Sequence, residues 1–157
     1  MFVTNHVLAG ALIGRAMARH PVGAFAVGVV THFAMDACPH YGDGAASITS
    51  PEFIRVARCD GCAGLSAMAL AAGLSPRRSR RAVVAGMLGG AVVDSDKPCE
   101  YFFGWNPWPE WWNALHKRVQ NEQPHRLPHE VAVGALLAVL VWKLLPDGER
   151  VAGGGRG

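Results

Sequence analysis

Alternating runs of β-branched and polar residues are missing from this 157-residue chain. Without that period-two pattern no half-buried strand is expected, and Ala, Leu, Gly and Met fill the segments between prolines instead. Charge is scarce too: 17% of the residues are charged against 50% apolar, greasier than most soluble domains. Yet no run reaches the ~18–20 uncharged apolar residues of a confident membrane span. A soluble bundle and a membrane-embedded one are therefore both open. Met1 to Met17 has no basic start and is interrupted by Asn5 and His6, unlike a secretory signal. The net charge of +3 is too mild to imply specific nucleic-acid binding. Four cysteines include a single CxxC, Cys59 to Cys62. It lacks both the strand–helix context of redox chemistry and the further ligands of a structural zinc site, so incidental thiols are the simpler reading. No phosphate-binding glycine loop follows a strand, and nothing points to a nucleophilic serine.

What is present reads as helix. The expected fold is all-α, a compact antiparallel bundle of five to six helices in one domain over residues 1–145, with a flexible Gly- and Arg-rich tail over 146–157. Thr4 or Asn5 can cap a first helix running to about Arg19. Pro21 suits the first position of a second helix ending at Cys38. Residues 41–50 read as a loop, and Ser50-Pro51-Glu52 as a helix start. The third helix reaches about Leu74, with Asp60-Gly61 as a candidate break. Ser75 to Arg81 reads as a basic turn, and a fourth helix runs from about Ala82 to Val93, closed by Lys97-Pro98. Small residues recur at four-residue steps: Gly10, Gly14 and Ala18, then Ala24 and Gly28, then Gly86 and Gly90. Such seams let helix backbones approach closely.

The most informative stretch is His32-Phe-Ala-Met-Asp36-Ala-Cys-Pro-His40. His32 and Asp36, four apart, share one helix face a turn from each other, and Pro39 stops the helix just before His40. A carboxylate in the last turn lies at the wrong end of the helix dipole, so a positive partner is expected, and a divalent metal would serve. In an up-and-down bundle the start of helix one, the end of helix two and the end of helix four share one end of the molecule. His6, His32 with Asp36, and Asp94 then fall together. Neutral imidazole and carboxylate are ordinary zinc donors. Polar residues also collect at helix ends simply to meet water.

Tyr101 to Trp112 is mostly aromatic and suits either a membrane surface, a cover for an apolar substrate, or a corner of the core. A fifth helix starts at Asn106-Pro107 or Pro109-Glu110 and carries His116, the next ligand candidate, with Trp112 and Gln120 on its face. His125 and His129-Glu130 precede a last helix, Val131 to Leu145, in balance between a core helix and a short membrane helix. Glu130 is accounted for as a helix-start carboxylate.

The blocks Thr-Asn-His6, Thr-His32 to His40, Gly-Gly-Ala-Val-Val-Asp94 and Leu-His116-Lys-Arg-Val-Gln120 resemble those of a broad set of small bacterial membrane-bound metal-dependent hydrolases. The likeness spans almost the whole chain. More remotely, the HxxxD helix is similar to the all-α zinc-dependent phospholipase C and single-strand nuclease group. This chain is much shorter and lacks a clear second HxxxE, so one or two metal ions are implied rather than three. The resemblance implies a divalent cofactor, zinc first, held by His6, His32, Asp36, Asp94 and His116. His40 or Asp96 would be a further ligand, a supporting partner or the proton acceptor. Its substrate would be a phosphate ester or lipid head group at the cytoplasmic membrane. In an integral arrangement, Arg77 to Arg81 would face the cytoplasm and the metal cluster the outer side. The rival expectation is a non-catalytic helical membrane protein that binds metal for structure or passage, or uses the cluster only to pack.

Overall fold

The computed structural model describes residues 1–42 and 50–146. They form an all-α bundle: α1 Val3–Ala16, α2 Pro21–Asp36, α3 Pro51–Leu74, α4 Arg77–Val92, α5 Asp96–Phe103, α6 Glu110–Val119 and α7 Leu127–Leu144. Two 3-10 turns, Val93–Ser95 and Pro124–Arg126, lead into α5 and α7. No strand occurs among the described residues, only an isolated bridge between His40 and Glu122. Five long helices make the body and α5 and α6 are short. The loop expected at 41–50 lies largely outside the described residues, as does the tail beyond Pro146.

Helix α4 is central, packed along both α1 and α2, while α1 also receives α3 and α7. The small seams make this possible. A methyl group on Gly86 would collide with the Gly10 carbonyl of α1, and one on Gly28 would lie 2.5 Å from the Gly86 carbonyl oxygen. One on Gly90 would lie 2.5 Å from the His6 carbonyl oxygen. These helices therefore touch backbone to backbone. Beside the seam, Val7, Leu8, Ala11, Ala71, Val83, Met87, Val141 and Leu145 form the buried cluster.

Several boundaries depart from the sequence expectation. Helix α3 runs unbroken through Asp60-Gly61. Helix α4 begins at Arg77 rather than Ala82, because arginines are good helix formers once Pro76 has set the entry. Arg80 of this first turn reaches back to the Ala72 and Ser75 carbonyls at the end of α3. Pro98 does not close an element: it sits in the first turn of α5, where a missing N–H costs nothing. Helix α7 starts at Leu127, so His129 and Glu130 lie inside its first turn.

The apolar surface is unusually open. Within Pro124–Leu144 an 18-residue window has a mean hydropathy of 1.5, and only 11% of that window is buried. Helix α7 with this lead-in is the one helix among the described residues long and apolar enough to cross a membrane. Val22, Val30, Leu65, Leu136 and Trp142 also face outward.

Candidate metal centre

The shared bundle end is built by hydrogen bonds as well as packing. The first N–H groups of α1 have no intrahelical acceptor, and Asp60 of α3 supplies one, taking Val3 N at 2.7 Å and Thr4 N at 3.1 Å. Burial nonetheless raises the Asp60 carboxyl above its ordinary range. Glu130 of α7 accepts from Phe2 N at 3.1 Å, from Asn5 Nδ2 at 2.8 Å and from Tyr41 N at 3.2 Å. It is buried and pins three segments, a larger task than that of a helix-start carboxylate. These clamps fix the turn of α1 that carries His6.

His6, His32, Asp36 and His116 are all buried. His32 stacks on His6 with ring centres 3.9 Å apart. Its Nδ1 donates to the Gly90 carbonyl at 2.7 Å, which assigns the ring proton there and leaves the Nε2 lone pair pointing inward. That Nε2 lies 3.1 Å from Asp36 Oδ2 and 3.2 Å from His116 Nε2. His116 Nε2 is in turn 3.1 Å from the same Oδ2. His6 Nε2 approaches the other oxygen, Oδ1, at 3.2 Å, without hydrogen-bond geometry. The Met1 amino group also meets Oδ1, at 2.9 Å. Asp94, on the turn after α4, places Oδ1 3.8 Å from His116 Nε2. Thus His6, His32, Asp36 and Asp94 lie at the shared bundle end that the helix order pointed to, and His116 of α6 joins them there.

Electrostatics follow from this crowding. Burial alone would raise the Asp36 carboxyl, but the imidazoles of His116, His32 and His6 gathered around it hold it far below the usual range. Burial lowers His6 in spite of Asp36, favouring the neutral ligand form. Asp94 is likewise held low against its burial by Lys97, whose Nζ lies 2.9 Å from its Oδ1. Burial would lower Lys97, and the Asp94 and Asp96 charges lift it above its ordinary value instead.

The donor set fits a metal ion. His32 Nε2, His116 Nε2 and Asp36 Oδ2 form a triangle with sides of 3.1, 3.1 and 3.2 Å. A tetrahedral zinc with bonds of ~2.0 Å has ligand–ligand edges of about 3.3 Å. An imidazole lone pair facing a carboxylate is repulsive unless a proton or a cation lies between them.

The other two candidates stand differently. Asp96 flanks the centre, with Oδ1 buried, lacking a hydrogen bond and 3.5 Å from Lys97 Nζ. His40 is buried behind α2, where Nδ1 donates to the Cys38 carbonyl and Nε2 has no partner. It belongs to neither of the metal-capable groups, which are His6, His32, Asp94 and His32, Asp36, His116. Its backbone pairs with Asn121 and Gln123, holding the α2 end against the α6 exit. Gln120 Nε2 sits 3.2 Å from His116 Nε2, so Gln120 and His116 share a face as expected. Trp112 stacks on Trp108 and edges against Phe33, which itself meets His116. Its Nε1 is buried without an acceptor. Lys97 was not picked out from the sequence, although its spacing from Asp94, one helical turn, was a usable signal. Nothing in the sequence marked Asp60 as the cap of α1. Cys59 and Cys62 are exposed free thiols on α3.

No family model matches this chain. Neither a curated protein nor a solved structure is significantly similar to it.

Proposed function

We propose that this chain is a metal-dependent hydrolase acting on phosphate esters or lipid head groups at the membrane. The triangle of His32 Nε2, His116 Nε2 and Asp36 Oδ2 carries the reading, with sides of 3.1 to 3.2 Å. These three would hold the ion, and His6 and Asp94 would complete its surroundings. The single Nε2 lone pair of His32 serves one ion at a time, so the two overlapping groups favour one zinc-like ion over two. Such an ion acidifies a coordinated water and polarises a phosphoryl oxygen.

The chain's own residues supply the rest. The Gly90 carbonyl orients His32, as a ligand's outer hydrogen bond usually does. Asp96 Oδ1, buried without a hydrogen bond and 3.5 Å from Lys97 Nζ, would be the proton acceptor. Lys97, whose Nζ lies 2.9 Å from Asp94 Oδ1, would offer its ammonium to an anionic substrate. The Trp108–Trp112 stack would wall the approach. The exposed apolar face of α7 supports a location at the membrane.

The test is metal content by elemental analysis of protein purified without added metal, together with hydrolysis of bis(p-nitrophenyl) phosphate. Wild type should hold about one ion per chain and turn over the ester. His32→Ala and Asp36→Ala should lose both. A wild type that stays metal-free after reconstitution would remove the proposal. The burial of His6, His32 and Asp36 favours one rival, a closed structural centre. The visible spectrum of cobalt-substituted protein separates the two, since only an open site changes on adding inorganic phosphate.

A further inference from the structure

Helices α3 and α7 both lie on α1 but make little contact with each other. Between them runs a groove of about 900 Å³, within the size range of ligand sites. It extends from Arg55 to Leu74 along α3, which at the helical rise is about 28 Å. Its walls are small on both sides, Ala63 and Ala67 facing Ala135 and Ala138. The groove is open to solvent and mostly apolar, and an exposed apolar patch of this extent marks a ligand or partner site.

The groove is also polarised end to end. Asp60 and Glu130 line one end, yet their carboxylates are turned to the α1 backbone, Thr4, Asn5 and Tyr41. Arg55 is the cation among the lining residues and is exposed at that same end. Glu130 and Phe2 separate this end from the metal centre: the Met1 amino group bonds Asp36, and the next residue's N–H bonds Glu130.

We propose that this groove is an acyl-chain site. It takes the single hydrocarbon tail of an amphiphile whose anionic head lies at the Arg55 end, with Glu130 and Phe2 between it and the metal centre. In naming a lipid as substrate, this rests on the hydrolase reading above. A length of about 28 Å exceeds the ~15 Å of one leaflet's hydrocarbon, half of a ~30 Å core, so one tail is accommodated. Apolar contact along the walls supplies the affinity and Arg55 sets the direction of entry.

The experiment uses the full chain and cis-parinaric acid, a fluorescent carboxylate with one unbranched tail. Saturable binding is expected, displaced by lysophosphatidic acid but not by glycerol phosphate. Ala135→Trp, Ala138→Trp and, on the opposite wall, Ser66→Trp should each weaken binding at least tenfold while keeping the helical circular-dichroism spectrum and the metal content. Arg55→Glu should weaken it several-fold. His32→Ala should bind the probe as wild type does while losing metal. Tail binding by a wild type that holds no metal would support the groove and remove the hydrolase reading. Absence of saturable binding would overturn the proposal, as would binding indifferent to all three tryptophans. A wild-type dimer that the tryptophan variants convert to monomers, with probe binding unchanged, would overturn it in favour of a second copy of this chain.

Discussion

Asp36 ends α2, where the helix dipole opposes a carboxylate, and the surrounding imidazoles answer that opposition. The need for a positive partner was legible from the position of Asp36 alone. The helix order also pointed to His6, 30 residues away, whereas the place of His116, 80 residues away on a short helix after an aromatic turn, could be named only as a candidate. His6 makes the pH behaviour testable. Its folded value is lowered chiefly by burial, so the unfolded chain, at ~6.5, binds the proton more readily. The stability this provides is complete above pH ~6.5 and is lost as pH falls toward the lower folded value. Metal-free wild type should therefore show a falling melting temperature from pH 7.5 to 5.5, and His6→Gln a flatter profile. Glu130 gives a second expectation. Glu130→Ala leaves Phe2 N, Asn5 Nδ2 and Tyr41 N without this acceptor, costing about 3 kcal/mol in urea unfolding, since each stranded buried donor costs ~1–3 kcal/mol. Glu130→Gln, which keeps an acceptor oxygen, should lose less. A first-turn glutamate looks alike in sequence whether it faces water or three donors, which is why its burial could not be read there.

The seam glycines were readable at the level of elements, since four-residue spacing of small side chains has one packing meaning on a helix. Gly86→Ala should force α1 away from α4, because the new methyl meets the Gly10 carbonyl. Overpacking of this kind costs ~1–3 kcal/mol, and differential scanning calorimetry should show a clear drop in melting temperature. Gly73 and Gly61 on α3 have nothing within 4 Å of an added methyl. Gly73→Ala should raise stability by ~0.5–1 kcal/mol, the ordinary gain of alanine over glycine in a helix. Equal effects of Gly86→Ala and Gly73→Ala would contradict the backbone contact described above. Helix starts were harder to read than helix faces. The arginines from Arg77 to Arg81 carry the charge of a turn yet the propensity of a helix. Pro98 reads as a stop although the first turn tolerates it.

Across the whole molecule, the all-α bundle was legible from what the sequence lacks, while the outward turn of its most apolar helix was not. An apolar run fits a buried core as well as a bilayer until its neighbours are placed, and here only 11% of the 18-residue apolar window is covered. In a flotation assay with phosphatidylcholine vesicles the protein should rise with the lipid and stay there in 1 M salt, because the contact is apolar rather than ionic. Leu136→Glu with Val139→Glu, both on exposed α7 positions, should leave it at the bottom of the gradient. Wild type at the bottom would argue against a membrane location. The spread of the centre along the chain also has a temporal side. A nascent chain extends from its amino terminus at about 5–20 residues per second, so the 80 residues from Asp36 to His116 take about 4–16 seconds. His6, His32 and Asp36 can meet while α6 is still unmade, and for those seconds Asp36 lacks His116. His116 is thus the last of the five candidate donors to be made, and a ribosome-stalled chain shorter than 116 residues would present the cluster without it.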